Sequence, residues 1–276
     1  MNNNAIWDKV KDEYQTVLLN FIQVKDLEVI WPSYEETLSA ILDLYRNTSS
    51  ECLAKIRILE VGAFSGVLST ALRHCGFDVT AWDIPLFMKE PSLQSHYSRA
   101  GIHTAMGNLA QLPLEFEDAS FDLIVCSEVL EHLNFNPIPV FCEMNRLLKN
   151  GGNFLIGTPN HCNIVKRLLL LKGQSIHNPI QHLVWQLDPN ATFSIGLHWR
   201  EYTASELTQL YKLAGFEMIS HRYFRISDNI SRKFPRKQLV SLMYHLFPSF
   251  MPSQIAIGRK LRPASLGTLD MDEQSS

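Results

Sequence analysis

"ILEVGAFSGVLS", residues Ile58–Ser69, is the stretch of the sequence that decides the fold. It opens with an apolar run that holds one acid, Glu60, passes through Gly62 and Gly66, and ends in a helical pattern. A buried strand, a glycine-containing turn and a helix in this order are typical of the first unit of an open α/β sheet. The small residues of the turn let the backbone approach a ligand, and the positive end of the helix dipole favours an anionic group.

Strand-like and helix-length segments alternate after this turn. The strand-like stretches read FDVTAWD, IHTA, FDLIVCS, NFLIGTP, FEMISHRYF and SQIAIGRKL. Helical patterns separate most of them: residues 138–149 end at the helix stop Asn150-Gly151-Gly152, and TASEL near Thr203 has the form of a capping box. The alternation predicts an α/β fold, a doubly wound and mostly parallel seven-stranded sheet with helices on both faces.

The flanking segments predict how the chain is organised around that sheet. Apolar residues recur at helical spacing near the start, and a second helical stretch follows WPSYEE, so residues 1–50 are expected to form a helical N-terminal extension. Residues 51–262 are expected to form the main domain, with an insertion at about 160–200 that caps the end of the fifth strand. Residues 263–276 are predicted to be a polar tail.

Composition narrows the class of protein. The chain has 276 residues, of which 46% are hydrophobic and 19% are charged, as in ordinary soluble domains. The N-terminus lacks the pattern of a secretory signal, so a cytoplasmic location is expected. Five scattered cysteines without a C-x-x-C pair argue against a disulfide framework or a cysteine-built zinc site. A net charge of −3 gives no electrostatic reason to expect a nucleic-acid partner.

Polar residues follow the ends of the next predicted strands. Asp83 ends the second strand, 23 residues after the acid of the opening strand, where its carboxylate can accept hydrogen bonds from both hydroxyls of a ribose. Asn108, with Leu109 beside it, follows the third strand and can bond an adenine edge and cover its face. Ser127 and Glu128 follow the fourth strand. The set predicts a nucleoside site at one edge of the sheet.

Four stretches together resemble the class I S-adenosylmethionine-dependent methyltransferases, near types 11 and 23. They are ILEVGAFSG, WD, GNLAQLPLEFEDASFDLIVCSEVLEHL and RLLKNGGNFLIGTPN, within about residues 56–160. The resemblance implies S-adenosylmethionine as cofactor: the strand-one acid helps to place its methionine amino group, the glycine turn admits it, the strand-two acid holds its ribose and the strand-three residues meet its adenine. The cofactor-binding residues expected are Glu60, Gly62, Gly66, Asp83, Asn108, Leu109, Ser127 and Glu128.

Two positions depart from the family's pattern. Phe64 stands where many members have a glycine, and Asn108 where many have an aspartate. Asn108 can still pair with adenine, because its amide both donates and accepts. Phe64 points either away from the pocket or into its mouth, and a blocked pocket would indicate a non-catalytic binding or scaffold protein. An NAD-binding Rossmann fold is a weaker alternative, since the sequence lacks G-x-G-x-x-G at this turn.

Three histidines are candidates for the catalytic base. The methyl group of a sulfonium is already activated, so the enzyme mainly aligns a nucleophile, and a hydroxyl acceptor also needs a base. His132, His161 and His198 all lie after predicted strand ends, and His132 is preferred because it follows SEVLEH. For each, the alternative is a hydrogen-bonded structural histidine.

The segment Glu128-x-x-Glu131-His132 also has the composition of a divalent-metal site. Some small-RNA and quinone-pathway O-methyltransferases have a similar arrangement. Helix packing and cofactor contacts are the commoner role for such residues in related sequences, and the prediction therefore includes no metal.

The acceptor is expected to bind under the insertion after the fifth strand. HWREYTASELTQLYKLAGFEM resembles bacterial methyltransferases of polysaccharide and secondary-metabolite pathways, which favours O-methylation of a small or carbohydrate-like acceptor. The alternative is a quinone or lipid-like acceptor methylated at a membrane surface, because KQLVSLMYHLFPSFMPSQ is apolar with basic residues upstream. Pro248 and Pro252 limit a continuous helix in this stretch, and its packing onto the core is the preferred prediction. The candidate lining residues are Trp185, Phe193, His198, Trp199, Arg200 and Tyr202.

Overall fold

A seven-stranded sheet forms the centre of the described part of the chain. The computed structural model describes residues 3–14, 17, 24–187, 197–226 and 236–264. The strand order is β3-β2-β1-β4-β5-β7-β6; neighbours among the first five strands pair in parallel, and β7 pairs antiparallel with both β5 and β6. The predicted doubly wound α/β fold is therefore confirmed. The strands are β1 Arg57–Val61, β2 Asp78–Asp83, β3 His103–Met106, β4 Phe121–Ser127, β5 Leu148–Pro159, β6 Phe216–Phe224 and β7 Ser253–Lys260.

Helices connect and cover the strands. Three of the described helices precede the first strand, and the predicted capping box of Thr203 and Glu206 is confirmed. Short 3₁₀ turns occupy Leu130–His132, Ile180–Leu187 and Pro248–Phe250. The α-helices are α1 Asn3–Tyr14, α2 Val24–Leu44, α3 Ser50–Leu53, α4 Val67–His74, α5 Pro85–Met88, α6 Pro91–Ala100, α7 Ile138–Leu147, α8 Ile164–Leu171, α9 Ala204–Leu213 and α10 Arg236–Leu246.

One predicted boundary is wrong. Helix α7 ends at Leu147 and β5 begins at once with Leu148, so the supposed helix stop at residues 150–152 lies inside the strand. Leu148 is fully buried and pairs with Phe121, which draws the chain into the sheet two residues early. The pairing then shifts register, and Gly151 takes φ 74° in the irregular part of the strand. The glycines serve a bulge rather than a helix end.

The second predicted helix also begins earlier than expected. It does not follow WPSYEE but starts at Val24 and runs through Pro32. An internal proline removes a helix hydrogen bond at a cost of about 3 kcal/mol. Leu38 and Ile41, both fully buried, offset that cost farther along the helix.

Two hydrophobic clusters cover the two faces of the sheet. Alternate residues of β1 point into different clusters: Ile58 joins the N-terminal helices and α4, whereas Leu59 joins α7 and α9. The carboxyl ends of β1, β2, β3 and β4 therefore meet at one edge of the sheet, between two firmly packed layers. Among the described residues, no helix is both long and apolar enough to cross a bilayer.

Candidate active site

The loop after β1 is a tight turn fixed to β2. Gly62 and Gly66 take φ values of 80° and 77°, a region that favours glycine. The N–H groups of Gly62 and Ala63 both donate to the carbonyl of Trp82, at 2.9 and 3.1 Å. A Cβ on Gly66 would lie 2.6 Å from the Tyr97 hydroxyl oxygen, so the turn has no room for a side chain there. The two predicted glycines shape the loop at the sheet edge.

Phe64 is held in the turn by a backbone hydrogen bond and by a contact of its ring. It adopts φ 47°, the left-handed region, and its N–H donates to Asp83 Oδ2 at 2.7 Å. Asp83 Oδ1 accepts from the N–H of Ile84 at 2.6 Å. The Phe64 ring packs edge-on against Phe87 of α5, with ring centroids 4.9 Å apart. A carboxylate has about four acceptor positions, so each oxygen of Asp83 keeps one for a ribose hydroxyl.

Glu60 is a buried acid and the penultimate residue of β1. Its Oε2 accepts from the hydroxyl of Ser69, and the residue is only 2% exposed. Burial raises its pKa to about 8, and the nearby charge of Asp83 acts in the same direction. Burial also raises the pKa of Asp83, to about 6. A cationic ligand group beside Glu60 would favour its ionised form, as the predicted contact with a methionine amino group requires.

Helix α2 supplies site residues that the sequence analysis missed. Tyr34 is buried; burial raises the pKa of its hydroxyl, and Glu60 is the next largest cause. Thr37 Oγ1 lies 3.1 Å from Ser127 Oγ, in a fully buried hydrogen bond. Ser33, one turn earlier, is also buried. The spacing of Ser33 and Thr37 on one helical face is the signal that could have found them.

The predicted adenine residues lie at the same sheet edge but differ in exposure. Met106, the last residue of β3, pairs with Asp83, and Asn108 follows two residues later. Asn108 is exposed, and its Oδ1 accepts from the N–H of Ala110 at 2.9 Å. Leu109 is buried in the cluster that also holds Trp82. Their contact with adenine stays a prediction.

Two buried carboxyls follow β4. Glu128 takes φ 56°, a strained conformation for this residue, and its N–H donates to the carbonyl of Gly157. Glu131 is fully buried and its Oε2 accepts from Thr158 Oγ1 at 2.9 Å. Burial raises the pKa of both acids, and for Glu128 the charge of Glu131 is the next cause. Within the described residues, no N–H group donates to Oε1 of either acid. The two carboxyls lie close enough to hydrogen-bond to each other, which a proton retained on Glu128 allows.

The three candidate histidines lie in one region. The rings of His132 and His198 are 5.0 Å apart, and His161 and His198 line the same small cavity of about 20 Å³. His132 Nδ1 is 2.8 Å from the carbonyl oxygen of Leu197, and His198 Nδ1 is 2.9 Å from Glu201 Oε1. A proton on each Nδ1 satisfies these acceptors and leaves each Nε2 with a free lone pair. The pair can accept a proton or bind a metal.

A candidate metal centre overlaps this pair. Glu131, His132 and His198 each offer a ligand atom, and these atoms lie within 4.8 Å of one another. The donor set of one carboxylate and two imidazoles suits a divalent transition metal. The sequence had pointed to Glu128, Glu131 and His132; the structure adds His198, from a segment 66 residues farther along the chain.

The predicted acceptor side lies in the chain after β5. The N–H of Trp199 donates to the carbonyl of Glu131 at 2.7 Å, which joins this segment to the histidine pair. Tyr202 is buried in the core, and the Arg200 guanidinium lies 5.2 Å from its ring centroid. Lys166 of α8 forms an ion pair with Glu201. The predicted lining residue Phe193 and the side chain of Trp185 lie outside the described residues.

Comparison with known proteins identifies the class that this fold and site define. A family model described as a methyltransferase domain matches residues 34–221, about two thirds of the chain. The chain belongs to this family. The prediction of a class I S-adenosylmethionine-dependent methyltransferase, with S-adenosylmethionine as its cofactor, is therefore confirmed. The match begins at Tyr34, inside α2.

Two curated relatives illustrate the range of the family. A probable S-adenosylmethionine-dependent methyltransferase of Mycolicibacterium smegmatis is 31% identical over 180 residues, which cover 63% of this chain and 57% of that protein. A ubiquinone biosynthesis O-methyltransferase of Xanthomonas oryzae is 32% identical over 137 residues, 49% of this chain and 53% of that protein. The chain spans a little over half the length of these relatives.

Solved structures agree on the fold. A protein from Pyrococcus horikoshii has a TM-score of 0.52 and 20% identity, with 83% of this chain and 91% of that chain covered. A methyltransferase from Archaeoglobus fulgidus has a TM-score of 0.51 at 14% identity, with 82% and 94% covered. These likenesses concern the sheet and its helices alone.

Proposed function

We propose that this chain transfers the methyl group of S-adenosylmethionine to a hydroxyl oxygen of a small acceptor. One observation carries the proposal. The 3₁₀ turn Leu130–His132 begins three residues after the end of β4, where the predicted cofactor residues Ser127 and Glu128 lie, and it places His132 beside His198. A methyl group held over the strand ends and a base beyond β4 would then lie on the two sides of one acceptor.

Two carboxylates bind the cofactor, one through hydrogen bonds and the other through charge. Asp83, held in place by the N–H groups of Phe64 and Ile84, binds the ribose hydroxyls. Glu60 ionises when the methionine ammonium arrives and pairs with it. S-Adenosylmethionine supplies the methyl group, and the chain supplies the alignment that in-line displacement needs.

His132 takes the acceptor proton. Its Nδ1–H donates to Leu197, which fixes the ring and leaves Nε2 as the basic nitrogen. Burial lowers its pKa, so the ring is neutral and able to accept a proton at physiological pH. Burial lowers the pKa of His198 to about 4, which keeps that ring neutral as well. His198 and His161 stay second choices for the base.

A second mode of action is favoured by the Glu131 carboxyl beside the two imidazoles. Glu131, His132 and His198 would hold a divalent cation, and the carboxylate of Glu201 on His198 Nδ1 resembles the outer contacts that orient metal-binding histidines. A cation there supplies Lewis-acid activation of an acceptor hydroxyl. His132 cannot bind metal and act as the base through the same Nε2, so the two modes are exclusive.

Two acceptor classes remain open at this site. A carbohydrate-like acceptor is the prediction from the sequence after residue 198, and the exposed Trp199 offers a stacking surface for it. A quinone-like acceptor is the alternative, supported by the names of the Xanthomonas relatives.

Calorimetry and a methyl-transfer assay test the proposal together. The protein should bind S-adenosylhomocysteine and transfer radiolabelled methyl to polyhydroxylated or catechol-like acceptors. Asp83→Asn should weaken nucleoside binding by about 1.5 to 3 kcal/mol, as expected for a lost hydrogen bond to a charged group. His132→Ala should abolish transfer and leave nucleoside binding unchanged. Absence of binding at millimolar nucleoside would refute the proposal.

Chelation separates the two modes. With His132 as a metal-free base, activity survives treatment with EDTA followed by desalting. With a cation on Glu131, His132 and His198, activity is lost and returns when Mg²⁺, Mn²⁺ or Zn²⁺ is added back.

A further inference from the structure

Helix α8 exposes apolar side chains and buries none of its residues. Val165, Leu168 and Leu171 follow one another at intervals of three residues and therefore form one stripe, and Leu171 is 83% exposed. The 3₁₀ turn that follows continues the pattern, because Ile180 and Val184 are also exposed. Ordinary surface helices turn such a stripe toward the core.

The end of α10 extends this surface. Leu242 and Leu246, one turn apart, are exposed, and so is Phe247 directly after the helix. Arg167 of α8 lies 5.1 Å from the ring centroid of Phe250, so α8 and the turn after α10 are neighbours. We call these two exposed stripes, Val165–Leu171 and Leu242–Phe247, the apolar shelf.

The exposed charges on and directly after α8 are basic, and its other charge, Lys166, is paired with the largely buried Glu201. Residues 144–187 contain no aspartate or glutamate, although the whole chain has a net charge of −3. Arg167 and Lys172, both exposed, lie on and directly after α8. Exposed leucines flanked by exposed basic side chains are the composition of a segment that lies in the interface of an anionic bilayer.

The position of the shelf agrees with that role. Helix α8 follows the end of β5, and the turn after α10 precedes the start of β7, which pairs antiparallel with β5. Both segments therefore lie at the carboxyl edge of the sheet, the edge that holds His132 and His198. Asn160 fixes them to each other, since its Nδ2 donates to the carbonyls of Ser249 and Met251, each at 2.8 Å.

We propose that the apolar shelf rests on the surface of an anionic lipid bilayer. The leucines enter the acyl boundary, and Arg167 and Lys172 meet lipid phosphates. This proposal rests on the proposed function in the form that has a lipid-like acceptor, because membrane binding would bring the acceptor side of the site to the bilayer. Binding to lipid needs neither cofactor nor methyl transfer, so it is measured independently of them.

Co-sedimentation with vesicles tests the proposal on the full chain. Phosphatidylcholine vesicles that contain phosphatidylglycerol should pellet the protein, vesicles of phosphatidylcholine alone should pellet much less, and high salt should reduce binding. Leu168→Ser with Leu171→Ser should lower the partition coefficient at least about tenfold. Leu261→Ser is the matched control: Leu261 is 63% exposed but lies beyond β7, at the opposite edge.

A charge reversal completes the design. Lys172→Glu should lower binding to the anionic vesicles by more than about fivefold, since one basic residue is removed and an acid is added. Lys212→Glu, on the exposed side of α9, should leave it unchanged. Circular dichroism and nucleoside binding of each variant establish that the fold is intact.

Retention of the unaltered protein in the supernatant with anionic vesicles would overturn the proposal, and so would equal binding by the shelf variants and their controls. A protein that binds S-adenosylhomocysteine but ignores vesicles refutes the shelf alone. One that binds vesicles but not the nucleoside refutes the proposed function alone.

Discussion

At the scale of single residues, Phe64 shows how a departure from a family pattern is absorbed. The turn needs a residue with positive φ at this position, and Phe64 adopts 47° while its N–H binds Asp83. The left-handed conformation costs an L-residue about 1 to 2 kcal/mol. The edge-on contact of its ring with Phe87 offsets part of that cost.

Replacement of Phe64 by glycine and by alanine separates these two effects. Both variants lose the ring, but only alanine keeps the cost of positive φ, so Phe64→Gly should be about 1 kcal/mol more stable than Phe64→Ala. Urea unfolding measures the difference. The same pair at Gln209, exposed within α9, should rank the other way, because glycine weakens a helix. Equal stability of the two Phe64 variants would contradict the conformational argument.

Because Glu60 is a buried acid with a raised pKa, nucleoside binding should depend on pH. Its pKa in the free protein is about 8 because the side chain is buried, so near pH 7 it is mostly protonated. The ammonium of S-adenosylhomocysteine stabilises the carboxylate and lowers that pKa, so binding releases a proton and tightens as the pH rises toward 8. Calorimetry at pH 7 in buffers of different ionisation enthalpy measures the released proton.

Glu60→Gln should abolish the proton release. Asp83 has a pKa of about 6 and binds the ribose as a carboxylate, so affinity should also increase as the pH rises through about 6. The Glu60→Gln variant should retain that second increase. Proton release that persists in Glu60→Gln would exclude Glu60 as its source.

The sequence located the predicted site residues at strand ends because strand and turn patterns are local. Asp83 and Ser127 each end a strand that alternation alone had predicted. His198 could not be joined to Glu131 in the same way: their proximity depends on the fold of an insertion without a regular pattern. The partner of Asp83, the backbone N–H of Phe64, was equally hidden, because a main-chain donor leaves no mark in the sequence.

At the scale of elements, α2 changes from an extension to part of the site. Its Thr37 hydroxyl lies 3.1 Å from that of Ser127, the last residue of β4, and the charge of Glu60 acts on its Tyr34. Helical periodicity predicted a helix here but not where it starts. The sequence shows Pro32, which disfavours a helix interior, but it does not show the long-range contacts whose stabilisation outweighs that effect.

Tyr34→Phe tests the contribution of α2. Loss of the hydroxyl should weaken S-adenosylhomocysteine binding by about 0.5 to 1.5 kcal/mol, which is the usual value of one hydrogen bond. Isothermal calorimetry measures the change. Tyr45→Phe is the control, since Tyr45 packs on Phe77 at the opposite edge of the sheet and should leave affinity unchanged. Equal affinities in all three proteins would mean that α2 covers the cofactor without touching it.

At the scale of the whole molecule, the strand order separates the predicted cofactor-binding half of the sheet from the predicted acceptor-binding half. The predicted cofactor residues lie on or after β1, β2 and β3 and at the end of β4, whereas the chain after β5 carries His198 and Tyr202. Both hydrophobic clusters contain residues of β1, β2, β5, β6 and β7, so the sheet is packed continuously under the two halves. Removal of one polar side chain at the carboxyl edge of one half should therefore leave the other half formed.

Thermal unfolding with ligand tests that division. A ligand at one hundred times its dissociation constant adds about 2.7 kcal/mol to the free energy of unfolding, which raises the Tm of a chain of this size by several degrees. Asp83→Asn should lose most of the stabilisation that S-adenosylhomocysteine gives at a fixed concentration. His198→Ala, a change in the predicted acceptor half, should keep the full shift. If His198→Ala also lost the shift, the two halves would be one cooperative site, because the cofactor cleft would then need the segment after β5 in order to form.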